Sequence, residues 1–162
     1  MHAHNENISS EIKMKNVLIA MDGSKESVYA FNQYVEKIHN TNNYVICAHC
    51  AEYVEADPGV LSIAQVGYDV IEGLVEEDEK RILSILDKME SLLISNQVEG
   101  EVIRLEGDPK TAIISKATDV NAIMIVVGSR GLGKIRRTLF GSVSNFVIHH
   151  SPVPVVACKY EM

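Results

Sequence analysis

The sequence lacks any apolar run approaching the roughly 18 residues that a bilayer-crossing helix requires. It also lacks a basic excess: 15 Lys and Arg stand against 22 Asp and Glu, for a net charge of −7. That balance argues against a dedicated binder of nucleic acid or of anionic membranes. The stretch from Met1 to Asn7 has neither the basic start nor the apolar segment of a secretory signal. Cysteine is scarce, at three residues, and each sits inside an apolar string: Cys47 and Cys50 in YVICAHC, Cys158 in PVVACK. An odd count in such surroundings does not form a disulfide framework, and a reducing cytoplasm is the expected setting. Internal repeats and low-complexity tracts are absent too. What remains is 162 residues, 46% apolar and 23% charged. That composition describes a soluble globular domain, long enough to bury roughly 70% of its unfolded surface without staples. The expected organisation is an N-terminal tail over 1–14 and one domain over 15–162.

Short β-branched runs alternate with helical patterns, as in an α/β domain with a parallel sheet. The first strand reads Asn16–Met21 and ends at Asp22-Gly23-Ser24. Ser24 suits the cap of a helix whose apolar positions Val28, Phe31, Val35 and Ile38 recur every three or four residues. Tyr44–Cys50 is the second strand. Residues 53–68 show no clear period and read as a loop or a partly ordered excursion, followed by a long helix with a stripe from Ile71, Leu74 and Val75 to Leu93. Glu101–Leu105 is a short third strand. Asp108-Pro109 then marks a helix start, with a capping carboxylate and a proline whose missing N–H costs nothing at the first helical position. Ala122–Val127 is apolar on both faces, as a central parallel strand should be. Leu139–His150 is helical. Val153–Cys158 closes the chain as a fifth strand, with Pro154 favouring an edge position. The simplest arrangement is a doubly wound five-stranded parallel sheet of order 3-2-1-4-5, Rossmann-like, with helices on both faces. Its ligand crevice falls beyond the carboxyl ends of strands one and four.

The segment after strand four carries the chemistry. Gly128, Gly131, Gly133 and Gly141 place four of the ten glycines within fourteen residues. Glycine lets a ligand approach the backbone, so such a cluster can aim successive N–H groups at phosphate oxygens. Gly141-Ser142 opens a helix whose free N–H groups and positive dipole end suit an anion, with Ser142 and Ser144 as added donors. Between 128 and 142 stand Arg130, Lys134, Arg136 and Arg137 and no acid, a basic patch on an acidic chain. The competing reading is a surface loop that needs glycine only for turns. Two phosphate motifs fail. Gly128-x4-Gly133-Lys134 is followed by Ile135 where a P-loop needs Ser or Thr, and Gly131-x-Gly133 is followed by Arg136 rather than a third glycine.

Gly128-x2-Gly131-x9-Gly141-Ser142 resembles the nucleotide signature of the universal stress protein family, in its ATP-binding branch. The resemblance extends to Asp22, to His49-Cys50, to Glu106–Pro109 and to Ser151–Val156, covering residues 15–159 in order. It implies an adenine-nucleotide-binding fold related to the adenine nucleotide alpha hydrolases. It implies that Asp22 accepts from ribose hydroxyls and that Ala20 and Cys50 flank the adenine. Val127 and Gly128 match the wall beside base and sugar. Arg130, Gly131, Gly141, Ser142, Val143 and Ser144 match the phosphate cradle. The ligand so implied is ATP, with Mg²⁺ held through its phosphates. A homodimer through strand 153–158 is implied as well, and an apolar edge strand agrees with it.

Other chemistry is weaker. Cys47 and Cys50 lie three apart on a strand, so their thiols point to opposite faces, and no second pair completes a zinc site. His2 and His4 fall in the tail, His149 and His150 close a helix, and the Met residues fill apolar stripes. No acid stands out to orient an attacking water, so no catalytic set is assigned and ATP hydrolysis is expected to be slow at most. The function expected is a nucleotide-dependent regulatory or stress-response module. Two alternatives are a nucleotide-free dimeric scaffold and an adenylyl-transferring enzyme. For the latter, Asp22–Ser27 echoes a pyrophosphate loop but lacks its first Ser and its Asp.

Overall fold

Val17, Leu18 and Ile19 are wholly buried, with neighbouring side chains on opposite faces, which requires cover on both sides of the strand that carries them. In the computed structural model, which describes residues 14–51, 68–129 and 140–160, that strand is β1 (Lys15–Ala20). It is followed by α1 (Lys25–Lys37), β2 (Asn43–Cys50), α2 (Tyr68–Ser95) and β3 (Gly100–Leu105). Then come α3 (Pro109–Asp119), β4 (Met124–Gly128), α4 (Ser142–His150) and β5 (Val155–Cys158). The five strands form one parallel sheet in the order β3-β2-β1-β4-β5, as the sequence pattern predicts. Val17, Ile19, Val45 and Cys47 pack against Phe31 and Tyr34 of α1 and Met89 and Leu93 of α2. Leu18, Ile46, Ile125 and Val127 pack against Ile113 and Ala117 of α3 and Val147 of α4. Cys47 is therefore core, and burial pushes its thiol up to about 12, well out of reach of thiolate chemistry.

Several boundaries differ from the sequence pattern for local reasons. Ala122 does not join β4, because its N–H closes the exit of α3 on the Ala117 carbonyl at 2.8 Å. Ser151 Oγ donates to the Val153 carbonyl at 2.7 Å and accepts from its N–H at 3.2 Å, which holds Val153 in a turn and delays β5 to Val155. Pro154 thus precedes the edge strand. On α1 the buried face is Ser27, Ala30, Phe31 and Tyr34, while Ile38 caps the helix and is exposed. The larger departure is in α2, where Leu74 and Val75, expected on the core stripe, are 50% and 54% exposed. A 28-residue helix is about 42 Å long, whereas a six-residue strand is only about 20 Å. The buried stripe accordingly begins at Ile82 and continues through Met89 and Leu93. The segment 53–68, apart from Tyr68, the expected tail apart from Met14, and Leu139 lie outside the described residues.

Candidate functional site

Strand order reverses between β1 and β4: the connection from β1 runs to β2 on one side, and β4 pairs on the other. Loops leaving the carboxyl ends of these two strands diverge to opposite faces and leave a crevice between them. A cleft of about 230 Å³ lies there. Its apolar floor is made by Ala20, Ala48, Val127, Ile113 and Val143. Asp22, Ser24, Glu26 and Ser27 form one rim at the β1–α1 corner, while Gly128, Gly141 and Ser144 form the rim at the β4–α4 side. His49 and Cys50 enter from the end of β2, Pro109 from α3, and Arg81 from α2.

The β1–α1 corner is held by local hydrogen bonds. Gly23 takes φ +80°, and a Cβ there would come within 2.9 Å of Ile85, so glycine is required on both counts. Asp22 Oδ1 accepts from the Ser24 N–H at 3.0 Å, and Ser24 Oγ in turn accepts from the Ser27 N–H at 3.2 Å, capping α1. Burial opposes ionisation of Asp22, but hydrogen bonds from Ser24 and Ser27 outweigh it and hold the carboxyl below its ordinary value. A carboxylate kept charged at the lip of a cleft is a hydrogen-bond acceptor on both oxygens. Asp22 is thus at once a turn residue and a cleft residue.

The β4–α4 side is built differently. Gly141 is the N-cap of α4 and has no side chain with which to cap it. Its carbonyl accepts from Asn145 N at 2.9 Å. Among the described residues, nothing accepts from the amides of Ser142, Val143 or Ser144. Orphan amides at a positive dipole end are a preformed anion site. Ser144 Oγ donates to the Gly128 carbonyl at 2.8 Å, strapping the first turn of α4 to the tip of β4. Gly128 plays a part other than easing a ligand's approach. A Cβ there would lie 2.6 Å from the Glu26 carbonyl oxygen, so its missing side chain admits the first turn of α1.

Of the residues singled out from sequence, Ala20, Asp22, Cys50, Val127, Gly128, Gly141, Val143 and Ser144 line this one cleft. Ser142 opens α4 beside it, with its side chain exposed. Arg130 and Gly131 lie outside the described residues. Cys50 Sγ donates to the Gly107 carbonyl at 3.3 Å, so the two thiols of the Cys47-x-x-Cys50 string do diverge, one to the core and one to the cleft. Sequence reasoning missed Glu26, a second acidic residue lining the cleft, although its place in the first turn of α1, four residues after Asp22, was a usable signal. It also missed Arg81, which α2 brings to the cleft just before its buried stripe begins at Ile82, and assigned no role to His49. Among the described residues no group of three or more His, Cys, Asp or Glu could hold a metal. No helix among them is long and apolar enough to cross a membrane.

Comparison with known proteins points to one family. The model of the universal stress protein family matches residues 13–159. A putative universal stress protein of Staphylococcus saprophyticus is 32% identical over 150 residues, covering 91% of this chain and 84% of that protein. Among solved structures, a universal stress protein family protein of Arabidopsis thaliana with AMP bound superimposes with a TM-score of 0.66 at 23% identity. That match covers 91% of this chain and 92% of the other. A universal stress protein in complex with cAMP gives a TM-score of 0.64 at 23% identity over 91% of this chain and 98% of the other.

Proposed function

The chain belongs to the universal stress protein family, and on that premise we propose that it binds an adenine nucleotide, ATP with Mg²⁺, and acts as a nucleotide-dependent regulatory module. The observation that carries the proposal is the meeting of three features in one cleft. These are an apolar floor between Ala20, Ala48 and Val127, the Asp22 carboxylate, and the uncapped start of α4 at Gly141. A nucleotide has the same three parts: a flat apolar base, hydroxyls that donate, and an anionic tail. The AMP and cAMP held by two fold neighbours agree with such a ligand. In this reading the base lies between Ala20 and Cys50, Asp22 accepts from the ribose, and the amides of Ser142, Val143 and Ser144 take phosphate oxygens. Arg130 and Gly131 extend the cradle. Mg²⁺ rides on the phosphates, where it neutralises their charge.

Turnover in this reading is slow at most, since no acid in the cleft stands out to orient an attacking water. The module works in the cytoplasm as one domain over 15–162. It pairs as a homodimer through the 153–158 segment, whose β5 is a half-buried edge strand of Val, Val, Ala and Cys. Mass spectrometry of small molecules released from protein denatured straight after purification tests the core of the proposal. A stoichiometric adenine nucleotide is the expected result. An empty protein that also gives no calorimetric signal with ATP, ADP or AMP would overturn it.

A further inference from the structure

The hydroxyl of Ser144 carries one proton, and the fold already uses it. Ser144 Oγ lies 2.8 Å from the Gly128 carbonyl oxygen. A carbonyl only accepts, so the hydroxyl is the donor of this bond and keeps lone pairs alone for anything else. Phosphate oxygens are acceptors too. In sequence the Ser144 side chain reads as an added donor for an anion, yet it has no proton to offer one while the bond to Gly128 holds. Its backbone amide differs: with those of Ser142 and Val143 it stays open at the start of α4.

The bond joins two parts that are held very differently. Around the tip of β4, Val127 and Gly128 pair with Ala157 and Cys158 of β5. Ser129, only 1% exposed, extends that ladder: its N–H donates to the Cys158 carbonyl at 2.9 Å, and its Oγ accepts from the Tyr160 N–H at 3.0 Å. Gly128 also lies against the first turn of α1, where a Cβ would come within 2.6 Å of the Glu26 carbonyl oxygen and 3.0 Å of the Ser27 nitrogen. The tip of β4 is therefore registered against the helix that Asp22 and Ser24 begin. The first turn of α4 has fewer ties. Gly141 brings no side chain, Ser142 is exposed, and Val143 packs on the core without a direction of its own. The Ser144 hydroxyl adds a directional tie, and it lands on the same Gly128.

We propose that the Ser144 side chain is a positioning group and not a phosphate ligand. By holding the first turn of α4 on Gly128, it sets where the open amides stand relative to the Asp22 corner, and so governs the fit of the phosphate tail but not of the nucleoside. The inference rests on the adenine-nucleotide reading above. Donors held in place before a ligand arrives need no ordering when it binds. Misplaced donors lose much of their bond, because hydrogen bonds weaken steeply as the angle at the hydrogen closes. Removing the strap thus weakens phosphate binding although no contact to phosphate is deleted.

The test is calorimetry with ATP and with adenosine in the native protein, Ser144→Ala and Ser144→Thr, joined to ¹⁵N relaxation of the same proteins without ligand. Ser144→Ala is expected to lose about tenfold in ATP affinity and to bind adenosine as the native protein does. Without ligand, the order parameters of its Ser142 and Val143 amides fall, since the turn that carries them has lost an anchor. Ser144→Thr, which keeps a hydroxyl, restores most of the ATP affinity. Unchanged ATP affinity in Ser144→Ala, or an equal loss for adenosine, overturns the proposal. So does a loss for ATP alone with the ligand-free amides as ordered as in the native protein, because that marks the hydroxyl as a direct phosphate donor. A native protein that binds neither ATP nor adenosine overturns the nucleotide reading itself, and this inference with it. Should Ser144→Ala fail to fold, a crystal structure of the native protein with ATP decides. The hydroxyl must remain within hydrogen-bond distance of the Gly128 carbonyl; one turned onto a phosphate oxygen contradicts the proposal.

Discussion

Two helices that start at the carboxyl edge of the sheet are closed by their own side chains, and a third is not. Ser24 caps α1 by accepting from Ser27 N, and Asp108 caps α3 by accepting from Thr111 N at 3.3 Å. Pro109 further removes one orphan donor from α3. At α4 the capping position is Gly141, and the donors stay open. Caps of this kind contribute roughly 1 kcal/mol each. Glycine in that position gives up only a few tenths of a kcal/mol relative to a capping side chain, and the donors stay open. The contrast separates residues that hold this end of the domain together from those that the proposed function turns toward a nucleotide.

The largest effect expected is on Gly141. Gly141→Val sets a branched side chain across the open amides, and the loss of several charge-assisted hydrogen bonds should lower ATP affinity by roughly a hundredfold or more. Calorimetry reads the affinity, and thermal unfolding should remain cooperative. Gly128 should behave in the opposite way. Gly128→Ala drives a Cβ against the Glu26 backbone, an overpacking that typically costs about 1–3 kcal/mol and is read in the denaturant midpoint. If Gly141→Val unfolds the protein while Gly128→Ala is silent, the division of labour drawn here is reversed.

Asp22→Ala should weaken adenosine and ATP alike by about tenfold, since the contact is to the sugar; a loss confined to ATP would refute it. The carboxyl has a pH signature as well. Its folded-state pKa lies below the ordinary 3.8, so the stabilisation it contributes is fully present above 3.8. That contribution is lost as pH falls through the lower folded value. Chemical-shift titration of the Asp22 side chain should therefore give a midpoint below 3.8. The smallest effect expected is at the closed helix α3. Asp108→Ala should cost about 1 kcal/mol of stability and leave ATP affinity unchanged, checked by urea unfolding and calorimetry together.

Much of this architecture was legible because it is written locally. Ser24 and Asp108-Pro109 announce helix starts within three residues of the bonds they make. Val17 to Ile19 and Ile125 to Val127, apolar on both faces, announce central strands, and all six are buried. The cleft residues were legible as a set through the family resemblance, and β1, β2, β4 and α4 each deliver theirs at or near an element end. What was not legible depends on partners distant in the chain. Leu74 and Val75 carry a good helical stripe, but burial also needs something opposite, and the sheet covers α2 only from Ile82 onward. Gly128 reads in sequence only as a cleft glycine, and its second part, leaving room for the Glu26 carbonyl where a Cβ would stand, needs a partner about a hundred residues away. His49 was quoted only as part of the His49-Cys50 string, and its burial against the Met21 carbonyl just beyond β1 depends on a partner 28 residues away.

The open helix terminus is tested most directly by following the backbone amides of α4 in a ¹H–¹⁵N NMR titration with ATP and Mg²⁺. The resonances of Ser142, Val143 and Ser144 should move strongly and saturate at one nucleotide per chain, while those of Ser27 and Thr111, already bonded to their caps, move little. Saturable ATP binding that leaves the three α4 amides in place would contradict the account.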